Sequence, residues 1–293
     1  MIISLQRGMT SPRIILSRSN IRAKKKLGQH FLSDLNLIEK IVSSAGIAPD
    51  DIVLEIGPGL GALTFSLAKA AARVCAVDKD SQILEELKFE LKNSGVENVV
   101  LMEHDILSFD IFALARAEKS KLRVVGNLPY NISSQILVKL IDARDIISGA
   151  VLMFQKEMAG RIMAMPGTKE YGRLSVMLRY CADVEKVADA RAELFFPKPK
   201  IDSTILKIDF KTPERPANDE VFFQNVIKAA FSKRRKTLKN ALLGSHLDID
   251  AEKIIGAFAR SGIDPIRRAE TLSVDEFVTL ANDLENEANG AFA

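Results

Sequence analysis

Asn127-Leu128-Pro129-Tyr130 joins an amide, a rigid turn and an aromatic face at the end of an apolar run, residues 122–126. An Asn side chain offers an acceptor oxygen, and the carbonyl of the residue before a proline offers a second. Pro129 disfavours helical backbone at Leu128, so that carbonyl is released from any helical ladder. The ring of Tyr130 can stack on a base. Together the four residues can hold a flat heterocycle that bears an amino group. Upstream, Val53-Leu54-Glu55-Ile56-Gly57-Pro58-Gly59-Leu60-Gly61 reads as a strand, a Gly-rich turn and a helix start. Glycines let a ligand come close to the backbone, and a helix N-terminus offers unpaired amides. Loops of this kind serve NAD, FAD and S-adenosylmethionine sites alike. Asp78 lies 21 positions after Gly57, where an acid can accept from ribose hydroxyls. Asp105 follows a third strand, where an adenine amino group could be read with Ile106 as apolar contact. Asp80 reads as a helix cap.

These residues need a scaffold that brings strand ends together, and the chain supplies one. Short β-type runs at 52–56, 73–78, 98–102, 122–126 and 150–154 alternate with helical patterns at 60–70, around Ile83, Leu84, Leu87 and Leu91, and at 132–141. Strands separated by helices imply parallel βαβ units in a doubly wound sheet. Such sheets bind ligands at the carboxyl ends of their strands, where Gly57, Asp78, Asp105 and Asn127 all fall. An earlier helix is predicted over 34–45, with Ser33 as N-cap and Leu35, Ile38, Ile41 and Val42 on one face. Leu174, Met177, Leu178 and Cys181 mark another amphipathic helix. A Pro-rich loop at 195–202 then precedes a strand at 204–210, expected to make an antiparallel edge pair. Residues 211–219 hold two prolines and several charges, which places a domain boundary there. Beyond it the pattern is helical, with Ser273 and Glu276 as a capping box before the last helix and a frayed tail after Glu285.

Composition narrows the setting. The chain has 293 residues, 47% hydrophobic and 27% charged, room for a large domain and a small one. No run approaches the ~18 apolar residues of a membrane span. Cys75 and Cys181 lie in apolar runs and read as reduced thiols. A net charge of +3 conceals an asymmetry, since residues 1–33 carry Arg7, Arg13, Arg18, Arg22, Lys24, Lys25 and Lys26 and no acid. With those seven set aside, 34 of the 41 basic residues face 38 acidic ones. A second knot is Lys233-Arg234-Arg235-Lys236, with Lys239 close behind. Clustered positive charge suits phosphate binding, although a solvated tail and helix face would look the same. Residues 1–23 are expected to be a flexible basic arm of a cytoplasmic protein; an organellar presequence is the second reading. The histidines His30, His104 and His246 make no metal spacing, and there is no HExxH, no CxxC pair and no Gly-x-Ser-x-Gly elbow. No metal is expected.

Glu55-Ile56-Gly57-Pro58-Gly59 together with Asn127-Leu128-Pro129-Tyr130 resembles the class I S-adenosylmethionine-dependent methyltransferases that act on the exocyclic amine of adenine. Four further segments narrow the likeness: Lys26-Leu27-Gly28-Gln29-His30-Phe31-Leu32, Phe195-Phe196-Pro197-Lys198-Pro199-Lys200, Phe231-Ser232-Lys233-Arg234-Arg235-Lys236-Thr237-Leu238 and Leu272-Ser273-Val274-Asp275-Glu276-Phe277. In this order they resemble the small-subunit ribosomal RNA adenine dimethyltransferase family, from about Lys24 to about Ala281. The resemblance implies an α/β fold, a class I (Rossmann-like) methyltransferase sheet at 24–212, with a small all-helical RNA-binding domain at 213–293. It assigns the cofactor S-adenosylmethionine to His30, Leu32, Gly57, Asp78, Asp105 and Asn127. His30 stands where some relatives carry Asn, so backbone is expected to contribute as much as the ring, and a structural histidine fits that loop equally. Asp78 stands where relatives often carry Glu, a shorter arm that still reaches a ribose.

The resemblance further implies catalysis by Asn127, Leu128, Tyr130 and Phe195. The first two accept from the adenine amine, Tyr130 stacks the ring, and Phe195 forms a second aromatic wall, unless it belongs to the core. The target adenine must leave its stack, which favours a loop substrate. Lys198, Lys200, the N-terminal arm and the 233–239 cluster are then candidates for gripping the RNA backbone. The expected activity is dimethylation of two adjacent adenosines in the 3′-terminal hairpin loop of small-subunit (16S) ribosomal RNA, by a monomer acting on a pre-30S particle away from membranes. Alternatives are a large-subunit enzyme of the erythromycin-resistance type, a non-catalytic assembly factor or transcription-factor-like binder, and a NAD-dependent oxidoreductase.

Overall fold

Residues 52–56 are β-branched or apolar except for Glu55, and all five are buried, as a central strand covered by helices on both faces requires. A computed structural model describes residues 11–233 and 235–288. Its first compact unit comprises residues up to 159 together with 184–210. Nine strands are present among the described residues: β1 (Phe31–Leu32), β2 (Ile52–Ile56), β3 (Arg73–Asp78), β4 (Val99–Glu103), β5 (Leu122–Asn127), β6 (Ile147–Gln155), β7 (Ala182–Ala190), β8 (Phe195–Phe196) and β9 (Ser203–Phe210). Seven of them form one sheet in the order β4-β3-β2-β5-β6-β9-β7. The pairs β4·β3, β3·β2, β2·β5 and β5·β6 are parallel, and β6·β9 is antiparallel, as expected for the edge. Strand order reverses at β2, which lies between β3 and β5, and this is where a doubly wound sheet opens a crevice. Ile56 lies opposite Gly126, so Gly57 and Asn127 leave the sheet side by side.

Helices α1 (Pro12–Arg18), α2 (Leu35–Ser44), α3 (Thr64–Ala70), α4 (Ser81–Asn93), α5 (Ile111–Glu118) and α6 (Ser133–Asp142) belong to this unit. Three local expectations change. The cap of α2 is Asp34, whose carboxylate accepts from the Leu37 amide at 2.8 Å. Ser33 instead spends both its amide and its hydroxyl on the Leu194 carbonyl. Residues 60–63 form turns ahead of α3 rather than its first turn. Most consequentially, the stretch 11–23 is not simply an arm: α1 is a helix whose Ile15 and Leu16 are buried against Phe31, Leu60 and Ile83. An apolar Ile-Ile-Leu run within basic sequence carries that packing. Residues 1–10 lie outside the described residues.

The second unit comprises residues 160–183 and 211–288. The break expected at 211–219 is one of its edges, but the segment 160–183, assigned from sequence to the sheet domain, packs with these later helices. The chain passes between units within α7 (Lys156–Met163), and α8 (Arg173–Cys181), α9 (Glu220–Ala230), α10 (Leu238–Leu243), α11 (Ala251–Ser261) and α12 (Val274–Ala288) follow. Asp219 caps α9 through the Val221 and Phe222 amides. The Ser273–Glu276 capping box forms reciprocally, at 2.7 and 3.2 Å. Phe223, Leu238, Phe258, Phe277 and Leu280 fill the core. Both cysteines are buried and no disulfide joins them. Among the described residues no helix is long and apolar enough to cross a membrane.

Candidate active site

One cavity of about 250 Å³ opens at the carboxyl ends of β2, β3, β4 and β5, lined by His30, Leu32, Glu55, Gly57, Asp78, Asp105 and Asn127 among others. All six residues expected to hold a cofactor are thus gathered on one wall system. Gly57 and Gly59 adopt φ of +70° and +54°, a left-handed backbone that disfavours side chains. A Cβ on Gly59 would also sit 2.9 Å from the Phe31 ring. The turn therefore requires glycine for its shape, and it leaves bare backbone on the cavity.

The carboxylates around this turn differ in character. Asp78 closes β3; burial pushes its carboxyl above the ordinary range, against the opposing effect of the Asp80 amide bonded to it at 2.9 Å. Asp105 is held below that range, first by Lys79 at 2.8 Å and then by the Leu107 amide at 3.0 Å. Its oxygens thus order the loop after β4. For Asp80, burial alone would raise the carboxyl, but hydrogen bonds from Lys24 (2.7 Å) and Gln29 (2.8 Å) outweigh it and the net shift is downward. Asp80 occupies the N-cap position of α4 without capping it through its side chain; it serves as an anchor for the 24–29 segment.

Glu55 is the residue that sequence reasoning quoted without giving it a task. It is fully buried on β2, and its Oε2 has no hydrogen-bond partner. Burial pushes its carboxyl up to about 8, opposed by the neighbouring Thr64 hydroxyl and reinforced by the charge of Asp78. A buried orphan acceptor is costly unless something pairs with it. This one lines the cavity beside the equally buried Thr64 hydroxyl, where a cationic or hydrogen-bonding ligand group can pair with it. The available signal was an acid in an otherwise apolar central strand.

Asn127 is the last residue of β5, and its Nδ2 donates to the His30 carbonyl at 2.8 Å. That bond fixes which way the amide faces and leaves Oδ1 as an acceptor. Leu128 follows immediately; the residue is 1% exposed and is not among those lining the cavity. His30 Nδ1 lies 2.6 Å from the Pro197 carbonyl. A carbonyl only accepts, so Nδ1 carries the proton. The His30 ring stacks on Tyr130 at 5.6 Å and 24°, while the Tyr130 hydroxyl bonds to Ser203, itself fully buried, at 2.7 Å. Ser203, on β9, was not foreseen; nothing in its local sequence distinguishes it from any strand serine.

Phe195 is placed in the core. Strand β8 pairs antiparallel with β1, Leu32 opposite Phe195 and Phe31 opposite Phe196. Side chains alternate along a strand, so Phe195 joins Leu32, Val53 and Met153 in the core at 4% exposure, while Phe196 and Phe31 pack on the other side with Leu60 and Ile83. Of the four residues expected to act in catalysis, Asn127 lines this cavity, and Leu128, Tyr130 and Phe195 are not among its lining residues.

With this geometry in view, the chain matches the family model of ribosomal RNA adenine dimethylases over residues 20–286. The chain belongs to that family. It is 51% identical over 277 residues to ribosomal RNA small subunit methyltransferase A of Desulforapulum autotrophicum, spanning 94% of this chain and 97% of that one. The protein of the same name from Geobacillus thermodenitrificans is 43% identical, over 92% and 94% of the two chains. Among solved structures, a dimethyladenosine transferase from Plasmodium falciparum superimposes with a TM-score of 0.75 at 29% identity, over 88% of this chain and 98% of that one. The 23S ribosomal RNA methyltransferase ErmE reaches 0.65 at 26%, over 87% and 99%. The sheet is that of a class I methyltransferase.

For a member of the adenine dimethylase family, the fate of the basic residues matters. Several of the expected RNA-gripping cations are engaged within the chain. Arg18 bonds Glu86 and Glu90, Lys24 bonds Asp80, and Lys198 bonds Glu193 at 2.6 Å. Lys200, Lys233, Arg235 and Lys236 are exposed and Lys239 is half-buried; Arg234 lies outside the described residues. The turn carrying them is tied to residues 265–267, by the Leu238 amide on Arg267 and the Lys239 amide on Pro265.

Proposed function

We propose that the chain transfers methyl groups from S-adenosylmethionine to N6 of two adjacent adenosines in the 3′-terminal hairpin loop of small-subunit (16S) ribosomal RNA, giving N6,N6-dimethyladenosine within a pre-30S particle. The observation that carries this reading is the amide of Asn127. With Nδ2 committed to His30, Oδ1 remains as an acceptor, and the carbonyl of Leu128, the next residue, is read as the second. Two acceptors suit an exocyclic amine, and hydrogen bonds from that amine favour a pyramidal nitrogen with a more available lone pair. S-adenosylmethionine supplies a methyl group already made electrophilic by its sulfonium. Gly57, Leu32 and His30 are suited to shape the site for it, Asp78 to accept from its ribose, and Asp105 with Ile106 to meet its adenine. The partnerless oxygen of Glu55 fits a positively charged ligand. Tyr130, braced by Ser203 and His30, offers a fixed aromatic face to the flipped target base. Alkylation acidifies the remaining N–H, so no general base is needed. The exposed cations Lys200, Lys233, Arg235 and Lys236 suit the RNA backbone, where contacts position without reading sequence.

Asn127→Ala separates catalysis from binding. Methyl transfer to immature small subunits is expected to fall at least ~100-fold, as when a preorganised polar group is removed from an active site, while RNA affinity stays within about twofold. Persistent transfer by this variant refutes the assignment. Mass mapping of methylated adenosines, with small-subunit particles and large-subunit RNA offered in parallel, tests the substrate. Activity on large-subunit RNA alone would move the chain to the erythromycin-resistance type.

A further inference from the structure

The family match begins at residue 20, yet two side chains that precede it, Pro12 and Ile15, line the same cavity as Gly57 and Glu55. Both belong to α1. Ile15 and its neighbour Leu16 are 4% and 5% exposed. They pack on Phe31 of β1, Leu60 of the glycine turn and Ile83 of α4, so α1 rests on the apolar flank of the turn that shapes the cavity. At its far end Arg18 bonds Glu86 and Glu90, one turn apart on α4, and its guanidinium lies 5.6 Å over the Phe89 ring. The Ile21 amide returns to the Leu16 carbonyl at 3.0 Å and closes the helix. Seven helical residues held by three buried side chains, Pro12, Ile15 and Leu16, and two surface ion pairs are tied far less firmly than a central strand, and such segments open locally before the fold does.

We propose that α1 is a working part of the methyl-donor site, contributed from outside the family region: Pro12 and Ile15 contact the bound donor, and the grip of Arg18 on α4 governs how fast donor and spent product exchange. This rests on the reading of the cavity as the S-adenosylmethionine site. It assigns binding residues to a segment that composition alone presents as a basic tail, and it makes Arg18 a positioning residue.

The test compares the full chain with a form lacking residues 1–19, with Ile15→Ala and with Arg18→Glu, which sets a third acid against Glu86 and Glu90. Binding of S-adenosylmethionine and S-adenosylhomocysteine is read by calorimetry and by stopped-flow dissociation. Truncation should raise Kd about tenfold, the scale of losing one well-buried aliphatic contact. Ile15→Ala should raise it about threefold to tenfold. Arg18→Glu, with both contact residues intact, should speed dissociation. In steady state KM for the donor rises while kcat at saturation holds, a split that general loss of folded enzyme would not produce. If truncation prevents folding, by circular dichroism, the two point variants decide. Wild-type affinity and dissociation rates in the folded variants overturn the proposal. A full chain that binds neither molecule strikes the functional reading itself, a different result.

Discussion

Replacing Glu55 by Gln should stabilise the protein at high pH and weaken it as an enzyme. The carboxyl is raised from 4.5 to about 8, chiefly by burial. The folded state therefore holds this proton more tightly than the unfolded state. Its contribution to stability is complete below about pH 4.5 and is lost as pH rises through about 8. At ~1.4 kcal/mol per pKa unit, the full swing is roughly 5 kcal/mol. Glutamine has nearly the same shape and no charge to desolvate. Wild type and Glu55→Gln should melt within a few degrees of each other at pH 5, separate clearly by pH 7 and reach the full gap above about pH 8. At pH 9 the variant should gain roughly 10 °C, taking about 2–4 °C per kcal/mol for a chain of this size class. Thermal melts monitored by circular dichroism at pH 5, 7 and 9 measure this directly. Equal melting temperatures at pH 9 would refute the picture of an uncompensated buried carboxyl. The same logic gives a second readout. An opposite charge placed nearby lowers a carboxyl by ~1–3 units, so a sulfonium ligand entering the cavity at pH 7 should release up to about one proton from wild type and none from the variant. Calorimetry in buffers of different ionisation enthalpy counts that proton.

Three other outcomes follow from the site. Tyr130→Phe keeps the aromatic face but removes the Ser203 hydrogen bond; it should cost about 1 kcal/mol in stability and less than tenfold in kcat, whereas Tyr130→Ala should lower kcat/KM by roughly 10- to 100-fold through lost stacking. Phe195→Leu should fold, lose about 1–2 kcal/mol in urea melts and retain methyl transfer, as a core substitution does; loss of transfer with stability intact would restore Phe195 as a wall of the base pocket. Neutralising Lys233, Arg235 and Lys236 together should weaken RNA binding at physiological salt and flatten the slope of log K against log salt by about 0.7 to 0.9 per phosphate contact removed; an unchanged slope would place the RNA elsewhere.

The wall of the cavity was legible in the sequence because a doubly wound parallel sheet converts strand order into position. Once residues 52–56, 73–78, 98–102 and 122–126 read as parallel strands, Gly57, Asp78, Asp105 and Asn127 had to meet at one edge. Contacts that depend on nonlocal pairing were not legible. Ser203 meets Tyr130 only because β9 runs antiparallel to β6, and Phe195 faces the core only because β8 takes one register on β1. A shift of one residue would exchange Phe195 and Phe196. Strand β7, Ala-Asp-Val-Glu-Lys-Val-Ala-Asp-Ala, lacks a β signature and exists because β9 offers it an edge. The segment 160–183 carries no boundary signal of its own, since α8 is amphipathic in either unit. Local caps were legible where chemistry is local, as at Ser273 and Glu276, and misplaced by one residue where two capping types adjoin, at Ser33 and Asp34.

The orientation of the Asn127 amide bears on selectivity more than on affinity. An amide is both donor and acceptor, and a strand-end Asn left to itself would accept an amine or donate to a keto oxygen by rotating. Here rotation would break the bond to the His30 carbonyl and set two carbonyl oxygens against each other. Tyr130 stacks on that same histidine, whose ring is fixed through Pro197, so the surface that would hold the ring of the base and the group that would meet its amine share one support. A base that presents an oxygen where adenine presents N6 would face two acceptors, Asn127 Oδ1 and the Leu128 carbonyl, and would leave all three unpaired. Leaving a buried polar group unpaired costs about 1–3 kcal/mol, so rejection compounds over the pair. On the proposed reading, the discrimination between an amino and a keto base would be set by a hydrogen bond that touches neither, made between the last residue of β5 and the loop before β1.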